Sequence, residues 1–152
     1  MMPGSLVIEG YASLFGVEDL AGDVVRAGAF TRTLARQRTT GVGPAMLFQH
    51  LGRGRAGRWT AMREDGRGLF VRGLVTDETP AGKTALRLVS DGTLNGLSIG
   101  FIARDWSPRA SRGRELREIE LREVSLVTSP MLPSARFAAA GADIARQFVR
   151  AA

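Results

Sequence analysis

Glu115-Leu-Arg-Glu-Ile-Glu-Leu-Arg-Glu-Val-Ser-Leu-Val127 decides the fold class. Leu116, Ile119, Leu121, Val124 and Leu126 recur between charged or polar residues, an alternation that suits strand better than helix, with a bulge near Glu120 to Leu121. Thr128 to Pro133, with two prolines, ends that strand. Working outward, Ser5 to Gly16 reads as a strand bent at Gly10, Val24-Val25 as a short strand and Ala45 to Gln49 as a compact apolar one. Trp59 to Met62 and Gly68 to Val75 pair around a turn at Arg63 to Gly66, Leu94 to Arg104 is a strand, and Asp105 to Gly113 is a polar loop. Ala27 to Arg38 carries Phe30, Leu34 and Gln37 on one helical face. Ala81 to Asp91 is a second helix, capped by Asp77 to Pro80, and Ala138 to Ala152 a terminal one with Ile144 and Phe148 on one face. About six to eight short strands with helices at the periphery predict a small β-barrel or sandwich.

The remaining composition narrows the classes. With 152 residues, one domain spanning 1–152 is expected, its core running from about 6 to 137. Hydrophobic residues make up 44% and charged residues 24%, the ordinary globular range. No apolar run is long enough for a membrane-spanning helix, and the first residues lack the form of a secretory signal. Cysteine is absent, which excludes disulfides and thiolate metal sites. The net charge is +6, and Lys83 is the one lysine among 21 basic residues. The arginines are interleaved with acids rather than gathered in one block, so binding of nucleic acid is not the favoured reading.

Three residues carry candidate chemistry. His50, the single histidine, stands where an apolar strand gives way to the Gly-rich loop Leu51 to Arg58, and general base is its natural role. No second histidine or suitable carboxylate pair accompanies it, so no metal and no cofactor are expected. Ser98 lies in Gly96-Leu-Ser-Ile-Gly100, a match to the nucleophile-elbow pattern of α/β-hydrolases. That fold requires the base after the serine, whereas His50 precedes it, so the elbow is rejected. What remains is a serine whose glycine neighbours permit close approach and whose adjoining N–H groups, at Ile99 and Gly100, are candidates for an oxyanion site. Glu123 either points to solvent beside Arg122 or, turned inward, holds the imidazole in one tautomer.

The blocks Gly10-Tyr-Ala-Ser-Leu-Phe-Gly16, Gly22-Asp-Val-Val25, Gly28-Ala-Phe30, Met46-Leu-Phe-Gln-His50, Leu94-Asn-Gly-Leu-Ser-Ile-Gly-Phe101 and Glu123-Val-Ser-Leu-Val-Thr-Ser-Pro130 resemble the HK97-type phage prohead maturation protease family. They keep the family's order and run from about Ile8 to Ala135. The resemblance implies a mainly β fold like that of the herpesvirus capsid assembly proteases, a small closed β-barrel surrounded by helices. It implies a serine endopeptidase with Ser98 as nucleophile and His50 as base. Herpesvirus relatives use a second histidine as the third member; this chain offers none, so Glu123 is assigned there, with Asp105, Glu118 and Glu120 as alternatives. Leu51 stands where the family often has an Asp after the Gln-His pair. The Thr128 to Met131 turn is a second source of oxyanion donors.

The implied substrate is the scaffolding segment of the major capsid protein, cut inside the assembling procapsid in the bacterial cytoplasm, with self-cleavage as well. A homodimer through Ala81 to Asp91 or the terminal helix is implied too, and a gene transfer agent is as suitable an origin as a phage. The rival reading is a non-catalytic basic β-barrel that binds nucleic acid or an acidic scaffold partner, resting on Arg53 to Arg58 and Arg109 to Arg114. Against it, only 7% of residues are aromatic.

Overall fold

The computed structural model describes residues 4–140. In chain order these form β1 (Ser5–Leu14), β2 (Val24–Val25), α1 (Thr31–Thr40), β3 (Ala45–Phe48), β4 (Arg55–Glu64), β5 (Gly68–Thr76), α2 (Pro80–Ser90), β6 (Gly96–Pro108), β7 (Arg114–Val127) and β8 (Phe137–Ala139). All eight strands belong to one sheet, in the order β2-β7-β3-β4-β5-β1-β8, with β6 on the other edge of β7. β2 and β3 run parallel to β7; the other pairs are antiparallel.

The alternation in β7 explains its central place. Leu116, Ile119, Val124 and Leu126 are almost wholly buried and form one wall of the core with Leu97 of β6 and Ile8, Leu69 and Val71 of β1 and β5. The switch of face between Leu121 and Val124 requires a bulge. It falls at Arg122, where Gly100 pairs with Glu123 and Phe101 with Leu121. Phe30, just before α1, and Leu34 within it close the core on one side, and α2 does so with Ala85 and Leu86. Thr79 caps α2 by accepting from Gly82 N at 2.9 Å, and Pro80 occupies its first turn, where a missing N–H costs nothing.

Several expectations are corrected. The sheet does not close into a barrel. β1 and β6 form no ladder; their ends are linked through the β8 side by one bridge between Gly96 and Arg136 and by Leu97 N→Ala135 O and Phe137 N→Asn95 O, both 2.9 Å. Asp105 to Pro108 is strand rather than loop, because it continues to pair with Glu118 to Arg114. Gly10 has a packing role in β1. A Cβ there would stand 2.1 Å from Arg136 O, so the glycine admits the close approach of β8, and the irregularity of β1 lies between Tyr11 and Ser13. Ala138 and Ala139 belong to β8, paired with Glu9 and Ile8, and Ala140 is helical as expected; residues 141–152 of the expected terminal helix lie outside the described residues.

Candidate active site

β3 delivers His50. Its parallel register with β7, Ala45 opposite Glu123 through Phe48 opposite Leu126, continues as Gln49 N donates to Leu126 O at 2.9 Å. The chain then turns back, with Gln49 at φ 54° and His50 at φ 60°. Left-handed backbone costs a non-glycine residue about 1 kcal/mol or more, and two in succession persist only where neighbours fix them. The fixing contact is reciprocal: Gln49 Nε2 donates to Thr128 Oγ1 at 3.1 Å, and Thr128 N donates to Gln49 Oε1 at 3.2 Å. The reversal carries the imidazole alongside β7, where Nδ1 is hydrogen-bonded to Glu123 Oε1. With that carboxylate ionised, Nδ1 carries the proton and Nε2 is left as an acceptor.

β6 and β7 deliver Ser98 and Glu123 to one face. Ser98 pairs with Ser125 and Gly100 with Glu123, so these four lie on the face opposite Leu97, Ile99, Val124 and Leu126. Glu123 therefore meets His50 on the non-core face; it is neither turned into the core nor released to solvent, its side chain being 18% exposed. Ser98 is buried and stands diagonally from Glu123, a separation of about 7–8 Å between strand positions. Among the described residues no hydrogen bond joins Ser98 to His50. Such contacts are often long without substrate and tighten on binding.

The glycines flanking Ser98 have distinct tasks. A Cβ on Gly96 would come within 2.8 Å of Pro130 Cδ and 2.7 Å of Val127 O, so Gly96 lets the segment after β7 fold against β6. A Cβ on Gly100 would come within 2.4 Å of Glu123 Cγ, so Gly100 makes the niche in which the carboxylate side chain lies. Met131 and Leu132, beyond Pro130, join Ser98, Leu97, Ile99 and Ala12 around a cleft between β1 and β6. The opening in the sheet lies beside the serine. Ile99 and Gly100 sit in a regular stretch of β6, where successive N–H groups point to opposite edges, so the two cannot converge on one oxyanion.

The alternative acids lie elsewhere. Asp105 is paired with Arg117, Glu118 with Arg32, and Glu120 with Arg36, Arg104 and Arg122. The Arg104 guanidinium, above all, holds the Glu120 carboxyl below its usual range. The basic cluster at residues 109–114 is also engaged: Arg109 and Arg112 pair with Glu18, and Arg114 with Asp23, clamping the turn that precedes β2. Sequence reasoning missed Ser125, whose Oγ donates to Glu123 Oε1 at 3.1 Å, although its place two residues after Glu123 put it on the same face. It also missed the Gln49–Thr128 clamp, for which nothing in the sequence pattern stands out.

A family model described as caudovirus prohead serine protease matches residues 3–147. The chain belongs to this family. Within it, the prohead protease of Enterobacteria phage HK97 is 38% identical over 136 residues, covering 88% of this chain and 59% of that protein. The chain thus spans well under two-thirds of that relative's length. Among solved structures, the bacteriophage T4 capsid assembly protease superposes with a TM-score of 0.66 at 15% identity, covering 80% of each chain. KSHV protease, in complex with a hexapeptide phosphonate inhibitor, gives 0.53 at 16% identity, covering 88% of this chain and 64% of that one. The mainly β fold of this prohead protease family member is therefore of the herpesvirus protease type. Among its described residues, no helix is long and apolar enough to cross a membrane.

Proposed function

We propose that the chain is a serine endopeptidase that removes the scaffolding segment of the major capsid protein during procapsid maturation, and cleaves itself. Family membership and 38% identity to the HK97 prohead protease support the activity class. The observation that carries the site is the carboxylate of Glu123 on His50 Nδ1, on the sheet face that also bears Ser98. In this reading Ser98 Oγ attacks the scissile carbonyl as His50 Nε2 takes its proton. The imidazolium, stabilised by Glu123, then returns that proton to the leaving amine. Water hydrolyses the acyl-enzyme by the same proton path.

The oxyanion is met by one β6 N–H, from Ile99 or Gly100, together with a donor from the Thr128 to Met131 turn that Gly96 draws close. An extended substrate lies along the free edge of β6, over the cleft between β1 and β6, and gains affinity from backbone hydrogen bonds. The whole chain acts as one domain inside the procapsid, and a homodimer through α2 or through the segment after β8 is part of the reading.

The test is acylation by a fluorophosphonate probe, mapped by mass spectrometry, alongside co-expression with the major capsid protein. Labelling at Ser98 that is lost in His50→Ala, with capsid protein left uncut by either Ser98→Ala or His50→Ala, is the expected result. Capsid cleavage by either folded variant would refute it.

A further inference from the structure

Ser125 is a buried hydroxyl that this mechanism leaves unused. It lies on β7 two residues beyond Glu123, is 0% exposed, and stands between Ser98 on β6 and Leu47 on β3 in the two ladders. Its Oγ donates at 3.1 Å to Glu123 Oε1, the same oxygen that receives His50 Nδ1. One carboxylate oxygen has two lone pairs, so both donors are accommodated at once. With its proton directed at a carboxylate and no solvent access, Ser125 is placed as a donor and not as a nucleophile.

We propose that Ser125 is a positioning residue that holds the Glu123 carboxylate in the rotamer presenting Oε1 to His50 and moderates its pull on the imidazolium proton. This rests on the assignment of Ser98, His50 and Glu123 given above. A glutamate has three side-chain torsions, and Gly100 offers it an open niche without a fixing contact of its own. The buried hydroxyl supplies that contact. It also shares the negative charge of Oε1, so that without it the carboxylate is the stronger acceptor toward Nδ1.

The experiment follows the rate of Ser98 acylation by a fluorophosphonate against pH for Ser125→Ala in the wild-type background and in Glu123→Ala. The slower background is read at higher probe concentration, and thermal melting checks each fold. Ser125→Ala is expected to slow acylation by about tenfold or more and to move the midpoint of the rate against pH upward, because His50 then faces a stronger acceptor. It should add nothing in Glu123→Ala. A folded Ser125→Ala with wild-type rate and midpoint overturns the inference, as does an equal loss in both backgrounds, which would mark a packing role. Failure of the wild-type protein to acylate at Ser98 removes the underlying assignment itself, and is seen before any Ser125 variant is made.

Discussion

Gly100 and Glu123 face each other across the β6–β7 ladder, and the Glu123 side chain fills the space that any side chain at position 100 would need. The Cβ of an alanine would meet Cγ, Cδ and Oε1 of Glu123 at 2.4, 2.8 and 2.9 Å. These are atoms of one side chain, so the clash is relieved by a rotamer change that takes the carboxylate off both His50 and the buried Ser125 hydroxyl. Gly100→Ala should therefore lower kcat about tenfold or more, beside a loss of about 1 kcal/mol of stability from the broken Ser125 hydrogen bond. A peptide cleavage assay beside thermal melting checks it; unchanged kcat would show that Glu123 keeps its place despite the methyl.

Gly96 predicts a different pattern. There a Cβ meets Val127 O at 2.7 Å and the Pro130 ring at 2.8 Å, atoms of the backbone and of a rigid ring. Gly96→Ala should cost about 1–3 kcal/mol, as overpacking does, and appear as a melting temperature lower by several degrees. If the Gly96 variant melts with the wild type, the segment after β7 does not depend on this close approach.

The strands and the site were legible to different degrees, for physical reasons. β7 could be read because its core contacts recur at period two, and α2 because Thr79 and Pro80 are start signals. The outer half of β6 could not, since Asp105, Trp106 and Pro108 are exposed and two register shifts interrupt their ladder with β7, so no apolar alternation marks them. β8 was hidden because backbone pairing with β1 overrides the helix preference of its alanines. His50 and Glu123 were found as residue types at suitable places. Their meeting depends on a parallel β3–β7 register and a left-handed reversal, neither of which periodicity reveals.

That reversal gives a third prediction. Gln49 holds φ 54° while its amide exchanges two hydrogen bonds with Thr128. Gln49→Ala keeps the unfavourable backbone and removes both bonds, so about 1–2 kcal/mol of stability should go. The His50 imidazole then samples other positions, and kcat/KM should fall about tenfold. Comparison with Gln49→Gly separates the two contributions, since glycine relieves the backbone strain but leaves the clamp broken. Gln49→Gly should regain part of the stability and little of the activity. Full activity in Gln49→Ala would mean that the His50–Glu123 contact alone fixes the turn.

Acid stability supplies the last prediction, away from the site. Asp65, in the turn between β4 and β5, accepts from Tyr11 Oη at 2.5 Å and from the N–H groups of Arg67 and Gly68 at 2.8 and 3.2 Å. The Tyr11 hydrogen bond, first among these, holds its carboxyl below the usual range in the folded protein. A folded-state pKa below the unfolded value of about 3.9 means that the folded form favours the ionised carboxylate. The contribution to stability is complete above that value and is lost as pH falls through the lower, folded-state pKa. Glu120 and Asp91 are depressed in the same direction and share this acid limb. Tyr11→Phe removes the leading cause for Asp65 alone, so its melting temperature should fall less steeply than wild type between about pH 5 and pH 3. The difference between the two proteins should narrow as the solution becomes more acidic. An identical slope for Tyr11→Phe and wild type would show that the Tyr11 hydroxyl does not set this titration.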